Sequence, residues 1–175
     1  GKSTHIAELI NNQGKIWAVD RSSRRSKKIL ANSERLGIKC LQILVSDSNK
    51  LSLQYPEWKG FFDRILIDAP CSGLGTLARH PDARWKMNKG KIKELVDIQN
   101  QLLNSLAPLL KNGGKLVYST CTIHPDENIN QIKNFLKLKS EFLLENEKQI
   151  WPGDENNGDG FYLAVLKKST NNTCT

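Results

Sequence analysis

Between Ile65 and Gly75 the chain reads ILIDAPCSGLG. Three apolar residues run into Asp68, and a loop of small residues carrying Cys71 follows. A short apolar run closed by an acid, Ala-Pro and glycines has the pattern of a buried strand meeting a loop. The stretch from Lys115 to Asn128, KLVYSTCTIHPDEN, repeats the pattern. Its apolar strand ends in Ser119-Thr120-Cys121, and a helix start follows. In an open parallel sheet, ligands sit beyond the carboxyl ends of the strands. If the two strands are parallel neighbours, Asp68, Cys71 and Cys121 meet at one spot.

The rest of the chain fits around these strands. Helical spacing covers His5–Ile10, with Gly14 as the stop. A strand, Ile16–Asp20, ends in an acid. Ser22–Leu36 reads as a basic helix that buries Ile29, Leu30 and Leu36 and ends at Gly37. Cys40–Val45 reads as a strand, and Leu51–Gly60 as a loop with a short turn. A long charged loop carrying RHPDARW lies between Gly73 and Lys93, and loops of that length are usually functional. A helix is expected over Ile92–Leu110, stopped by Asn112-Gly113-Gly114. Another is expected from Pro125 to about Lys139. Strands are expected at Phe142–Leu144 and Phe161–Leu166, separated by the Gly-rich loop Trp151–Gly160, with a polar tail over 169–175.

Strands alternating with helices predict an α/β fold with a mostly parallel, doubly wound sheet. Two late strands with only a loop between them predict a C-terminal antiparallel hairpin. Such a sheet ordinarily opens with a strand, and here a glycine loop and a helix come first. A first strand is therefore expected upstream of Gly1.

With 175 residues, a single domain with a real core is expected. No apolar run approaches the roughly 20 residues a membrane span requires, and no signal-peptide pattern opens the chain. A cytoplasmic protein with reduced thiols is expected. The four cysteines, Cys40, Cys71, Cys121 and Cys174, form no C-x-x-C pair, so no metal site is expected. The net charge of +8 and the pI near 9.4 suit a polyanionic partner, although a solvated basic surface gives the same balance.

Three acids, Asp20, Asp47 and Asp68, close three successive strands. A carboxylate there can hold a ribose hydroxyl pair. Singly, each is as well read as a turn or cap residue; the three together favour a nucleoside-containing ligand. Gly1-Lys2-Ser3-Thr4 offers a rival, because it matches the end of a phosphate-binding P-loop, with ILID as the magnesium-binding strand. A triphosphatase has no use for cysteines at two strand ends. A lone cysteine is usually a small buried hydrophobe. Cys71 and Cys121 instead sit in polar loops, and a helix starting near Pro125, with Arg79 and His80, would lower the pKa of a nearby thiol. A nucleophilic cysteine beside an acid suits attack on an electron-poor ring. Cys40 reads as core, Cys174 as incidental, and His5 and His124 as structural. Trp85, Trp151 and Phe161 are more simply core than base-stacking platforms.

The runs DAPCSGLG, RHPDARW, STCTIHPDEN and DGFYLAVLKK resemble the RNA cytosine-5 methyltransferases that use S-adenosylmethionine, nearest to the bacterial Sun/RsmB-type enzymes acting on 16S ribosomal RNA. The resemblance extends from Gly1 to about Lys168. It implies a Rossmann-like class I methyltransferase fold, with a catalytic domain over residues 1–168 that lacks its first strand. In that family, GKST closes a longer PGGK-type loop around the methionine part of the cofactor, so Gly1 and Lys2 would lie near the cofactor's amino-acid end. Asp20 would hold the cofactor's ribose and Asp47 its adenine amino group, with Asp68 beside them. Cys121 would add to carbon 6 of cytosine, Asp68 would hydrogen-bond the ring nitrogen at position 3, and Cys71 would assist proton removal and product release. The target base must leave any stack to enter such a pocket. Arg79, His80, Arg24 and Arg25 would meet RNA phosphates. The implied partner is RNA, ribosomal first and transfer RNA second, met by a monomer away from any membrane. A P-loop NTPase and a noncatalytic RNA-binding module are the alternatives.

Overall fold

The structure, a computed structural model, describes residues 1–154 and 158–170. Cys174 and part of the tail lie outside the described residues. The chain forms two compact units, Gly1–Gln54 and Tyr55–Thr175, each with its own internal order.

The first unit contains α1 (Lys2–Leu9), β1 (Ile16–Asp20), α2 (Ser23–Arg35), β2 (Leu41–Val45) and the short α3 (Leu51–Gln54). β1 and β2 pair in parallel, from Ile16 opposite Leu41 to Asp20 opposite Val45. α1 stops at Leu9, before the expected Gly14, because Asn11 and Asn12 take the left-handed conformation, with φ of 52° and 57°. Asn12 then staples the unit. Its Nδ2 donates to the Gly37 carbonyl at 3.0 Å. Its Oδ1 accepts from the backbone N–H groups of Lys39 and Cys40, at 2.8 and 3.1 Å. Cys40 is buried just ahead of β2, as expected of core. Gly37 takes the left-handed conformation that ends α2. The buried face of α2 differs from expectation: Leu30 and Leu36 are exposed, and Ser26 and Ser33 are buried with Ile29 partly so. Small serines at helical spacing occupy the inner face of this polar helix.

The second unit contains β3 (Phe62–Asp68), α4 (Ala83–Lys86), α5 (Lys89–Leu106), β4 (Leu110–Thr120), α6 (Ile129–Leu138), β5 (Phe142–Ile150) and β6 (Phe161–Lys168). Its sheet order is β3-β4-β6-β5. β3 and β4 are parallel neighbours, with Ile65 opposite Leu116 and Asp68 opposite Ser119. β6 runs antiparallel to both β4 and β5, which gives the expected C-terminal hairpin. Alternation puts Leu116 and Tyr118 of β4 and Tyr162, Ala164 and Leu166 of β6 into the core. Leu103 of α5 and Ile132 and Phe135 of α6 are buried there too. Each such large side chain contributes about 1.5–3 kcal/mol by leaving water.

Several element boundaries in this unit depart from expectation, and the short α4 forms inside the stretch expected as a long loop. α5 ends at Leu106 rather than Leu110, because Pro108 lacks the N–H that a helix requires. Asn112-Gly113-Gly114 lies inside β4, where the pairing with β3 shifts between Phe62 and Arg64. Pro125–Glu127 forms a 3₁₀ turn, and α6 begins only at Ile129, so no α-helix N-terminus directly follows Cys121. Among the described residues, no helix is long and apolar enough to cross a membrane.

Candidate active site in two strand-end loops

β3 and β4 end level, and the Ala69 N–H donates to the Ser119 carbonyl at 2.9 Å, one step past the paired strands. Beyond that point each chain turns away in a small-residue loop. The loops bring Cys71 and Cys121 together, with their Sγ atoms 3.3 Å apart. The Cys121 N–H also donates to Cys71 Sγ, at 3.3 Å. The Cys71 thiol is pushed well above its ordinary value of 9.0, first by its hydrogen bond with Cys121, then by burial, then by repulsion from charge on Cys121. Cys71 therefore keeps its proton. Asp68 stands exposed at the end of β3.

A carboxylate within the helix expected from Pro125 ties the two thiol loops together. Glu127 is fully buried. Its Oε1 accepts from the Ser72 N–H at 2.8 Å and from Gln99 Nε2 at 3.1 Å. Its Oε2 accepts from Ser72 Oγ at 2.5 Å and Thr122 Oγ1 at 3.0 Å. Tyr118 donates its hydroxyl to the Glu127 carbonyl at 2.7 Å, and burial, then the Glu127 charge, pushes that phenol up. Asn128 ties the same turn down: its Nδ2 donates to the Thr122 carbonyl at 2.9 Å and its Oδ1 accepts from Thr120 Oγ1 at 2.6 Å. The available signal was a hydroxyl residue directly after each cysteine, since buried hydroxyls need partners.

Arg79 pairs with Asp159 through Nε at 3.2 Å and through Nη2, which fastens the RHPDARW loop to the loop before β6. His80 is exposed, and its N–H donates to the Thr76 carbonyl at 3.0 Å. Trp85 is 85% exposed and Trp151 51% exposed, so neither is the core aromatic expected, while Phe161 is half-buried. His124 is structural as expected: its Nδ1 accepts from the Asp126 N–H at 3.3 Å, capping the 3₁₀ turn.

In the first unit, Asp20 closes β1 and Asp47 lies just beyond the end of β2, its parallel neighbour. Asp20 Oδ1 accepts from the Ser22 N–H at 2.7 Å, and Arg25 Nε lies 3.1 and 3.0 Å from its two oxygens. Arg25, expected on RNA, is thus paired with an acid expected on the cofactor. Asp47 accepts from the Asn49 N–H at 3.0 Å, capping a 3₁₀ turn. Arg24 is exposed. Gly1 caps α1, with Lys2 in its first turn and the Thr4 hydroxyl donating to the Gly1 carbonyl at 2.9 Å. An ionised carboxylate has about four acceptor sites, so Asp20 and Asp47 both keep capacity for hydroxyl or amino donors. That pair of acceptors fits a nucleoside-bearing cofactor.

Residues 1–167 match the family described as 16S rRNA methyltransferase RsmB/F. The chain belongs to this family. S-adenosylmethionine is the cofactor of such methyltransferases. A Synechocystis sp. protein named "Probable ribosomal RNA small subunit methyltransferase B" is 40% identical over 97% of this chain and 41% of its own length. The ribosomal RNA small subunit methyltransferase B of Escherichia coli O7:K1 is also 40% identical, over 96% of this chain and 40% of its own. The chain thus spans about two-fifths of the length of these relatives. Among solved structures, PH0851 matches with a TM-score of 0.90 and 37% identity, over 96% of this chain and 40% of that one. NSun6 from Pyrococcus horikoshii, solved with SFG, matches with a TM-score of 0.81 and 29% identity, over 98% of this chain and 46% of that one. The family match includes Gly1–Thr4, and the triphosphatase reading of GKST is set aside.

Proposed function

We propose that residues 1–168 form the catalytic domain of an S-adenosylmethionine-dependent enzyme that methylates carbon 5 of a cytosine in RNA. The RNA is 16S ribosomal RNA in the first place and transfer RNA in the second. The enzyme works in the cytoplasm as a monomer. The observation that carries this reading is the thiol pair, with Cys71 and Cys121 held 3.3 Å apart at the ends of parallel strands. Family membership supplies the reaction class.

Carbon 5 of cytosine is a poor nucleophile until a sulfur adds at carbon 6. Of two touching thiols only one ionises readily, since like charges disfavour each other. The raised Cys71 thiol supports giving the attacking role to Cys121. Its Sγ forms a bond to carbon 6, and the electron pair displaced from the ring double bond gives carbon 5 its nucleophilic character. Asp68, at the end of β3, is assigned to the ring nitrogen at position 3, where a proton shared between carboxyl and nitrogen offsets the negative charge that develops. The cofactor supplies a methyl group on a sulfonium centre. Gly1, Lys2, Asp20 and Asp47 are assigned to binding it, with Asp68.

The same pair accounts for the release step. Once Cys121 Sγ is bonded to carbon 6, its charge is gone. The two influences of Cys121 that raise the Cys71 pKa, the hydrogen bond and the repulsion, go with it. Cys71 then loses its proton more readily and serves in removing the carbon 5 proton. The electrons left behind restore the ring double bond and expel Cys121 as thiolate.

The test uses the full-length protein, cytosine-containing RNA and the cofactor on a denaturing gel. Cys71→Ala should accumulate a protein–RNA adduct, and Cys121→Ala should form none and methylate nothing. An adduct in Cys121→Ala alone would reverse the roles. Unchanged methylation in both would end the covalent reading, and RNA binding without methylation by the wild type would make the protein a binder.

A further inference from the structure

Each thiol loop is held at the residue directly after its cysteine, and one carboxylate holds both. Glu127 Oε2 accepts from Ser72 Oγ at 2.5 Å and from Thr122 Oγ1 at 3.0 Å, and those two hydroxyls are themselves 2.8 Å apart. The residue before Cys71 is held through the same group: Gln99 Nε2 reaches both Glu127 Oε1, at 3.1 Å, and the Pro70 carbonyl, at 2.8 Å. The Ser72 N–H, at 2.8 Å, completes four donors on two oxygens. A fully buried carboxylate is costly unless it is hydrogen-bonded throughout. This one is, and every bond it makes fixes a loop carrying a thiol or the helix behind it.

We infer that Glu127 is the positioning residue that sets the register of Cys71 against Cys121, acting through Ser72, Thr122 and Gln99. This rests on the covalent reading above. Glu127 touches neither sulfur. Its reach spans the gap between the two loops, so the length of its side chain matters more than its charge. Shortening it by one methylene withdraws the carboxylate from one loop. Replacing it by the amide keeps the length. The amide oxygen can still accept from Ser72 N–H and Gln99, and the two hydroxyls can turn to accept from the amide nitrogen.

The experiment compares Glu127→Asp, Glu127→Gln and Ser72→Ala in the full-length protein, with kinetics counted per folded molecule. Glu127→Asp should lower kcat roughly 10- to 100-fold with KM for RNA within about twofold, the pattern of misplaced reacting groups rather than lost binding. Glu127→Gln should lose less than Glu127→Asp. A second readout needs no methylation. Diamide takes up two thiol hydrogens as the sulfurs join, and peptide mapping follows the Cys71–Cys121 disulfide. The wild type should form it readily and Glu127→Asp slowly. Wild-type kcat and cross-linking rate in Glu127→Asp, or a larger loss in Glu127→Gln than in Glu127→Asp, overturns the inference. If Glu127→Asp does not fold, Ser72→Ala decides: lower kcat with slower cross-linking supports positioning, and wild-type values refute it. Methylation by the wild type with no adduct in Cys71→Ala would instead refute the covalent reading, while cross-linking would still report the register.

Discussion

Gly160 donates its N–H to the Gly75 carbonyl at 2.7 Å, and Gly75 donates its own to the Cys121 carbonyl at 3.1 Å. Backbone hydrogen bonds thus stitch three loops together: the turn after Cys71, the loop of Cys121 and the loop before β6. A Cβ at Gly75 would sit 2.2 Å from the Gly160 oxygen and 2.9 Å from the Cys121 oxygen. Both obstacles are main chain, so no side chain can swing aside.

Gly75→Ala should therefore destabilise the protein by about 1–3 kcal/mol, the usual cost of forced overpacking, and should impair methyl transfer in the molecules that still fold. Gly158→Ala is the control, because a Cβ there meets nothing within 4 Å. Urea unfolding of the two variants decides the matter. Equal midpoints would show that the stitched loops tolerate a methyl group.

Stability should fall steeply in alkali. Cys71, Tyr118 and Tyr162 all have folded-state pKa values raised above their ordinary 9.0, 10.0 and 10.0. The folded state thus binds these protons more tightly than the unfolded chain. Their contribution is complete below pH 9 and drains away as the pH climbs past the ordinary values toward the folded ones. Tyr118→Phe removes one of the three groups along with its hydrogen bond to the Glu127 carbonyl. This variant should be less stable at neutral pH and lose stability less steeply in alkali. Unfolding midpoints measured from pH 7 to 11 test this, and a wild-type midpoint that holds steady across the range would contradict it.

The strands that carry the site were legible because each is a short apolar run closed by an acid or a small polar residue, a pattern local in sequence. Asp68 and Cys71 follow one such run and Cys121 another, so their meeting needed only one assumption, that β3 and β4 are parallel neighbours. Glu127 was not legible. Its partners Ser72 and Gln99 are distant along the chain, and a glutamate after Pro125 reads locally as a solvated first-turn acid. The inner face of α2 was hidden for a related reason. Periodicity arguments look for Ile29, Leu30 and Leu36, whereas two serines fill that face. The end of α5 was misplaced because Gly113-Gly114 is a strong local stop signal, and Pro108 had already stopped the helix.

The pairing of Asp20 with Arg25 gives a prediction that separates cofactor from RNA. Asp20→Ala should weaken S-adenosylmethionine binding by about 1–3 kcal/mol, the cost of leaving buried polar partners unpaired. Arg25→Ala leaves the carboxylate in place and should change cofactor affinity far less, since Arg25 lies at the exposed end of the pair. Calorimetry on the full-length protein measures both. Cofactor affinity unchanged in Asp20→Ala would take Asp20 out of the site.

RNA binding should divide into a charge part and a stacking part. Arg24 and His80 are exposed, and the chain carries a net +8. Trp85, in α4, presents most of its indole to solvent within the same basic RHPDARW run whose Arg79 pairs with Asp159. Neutralising a phosphate contact reduces the salt dependence of binding, by about 0.7 in the log–log slope for each contact on single-stranded RNA. Arg24→Ala should therefore flatten the slope. Stacking is worth about 1–3 kcal/mol per base and involves no counterions. Trp85→Ala should weaken binding by that amount at every salt concentration and leave the slope unchanged. Fluorescence anisotropy with labelled RNA over a range of salt separates the two. A flat salt dependence in the wild type would mean that the positive charge serves solubility alone, and a Trp85→Ala protein that binds RNA as the wild type does would mean that the exposed indole meets no base.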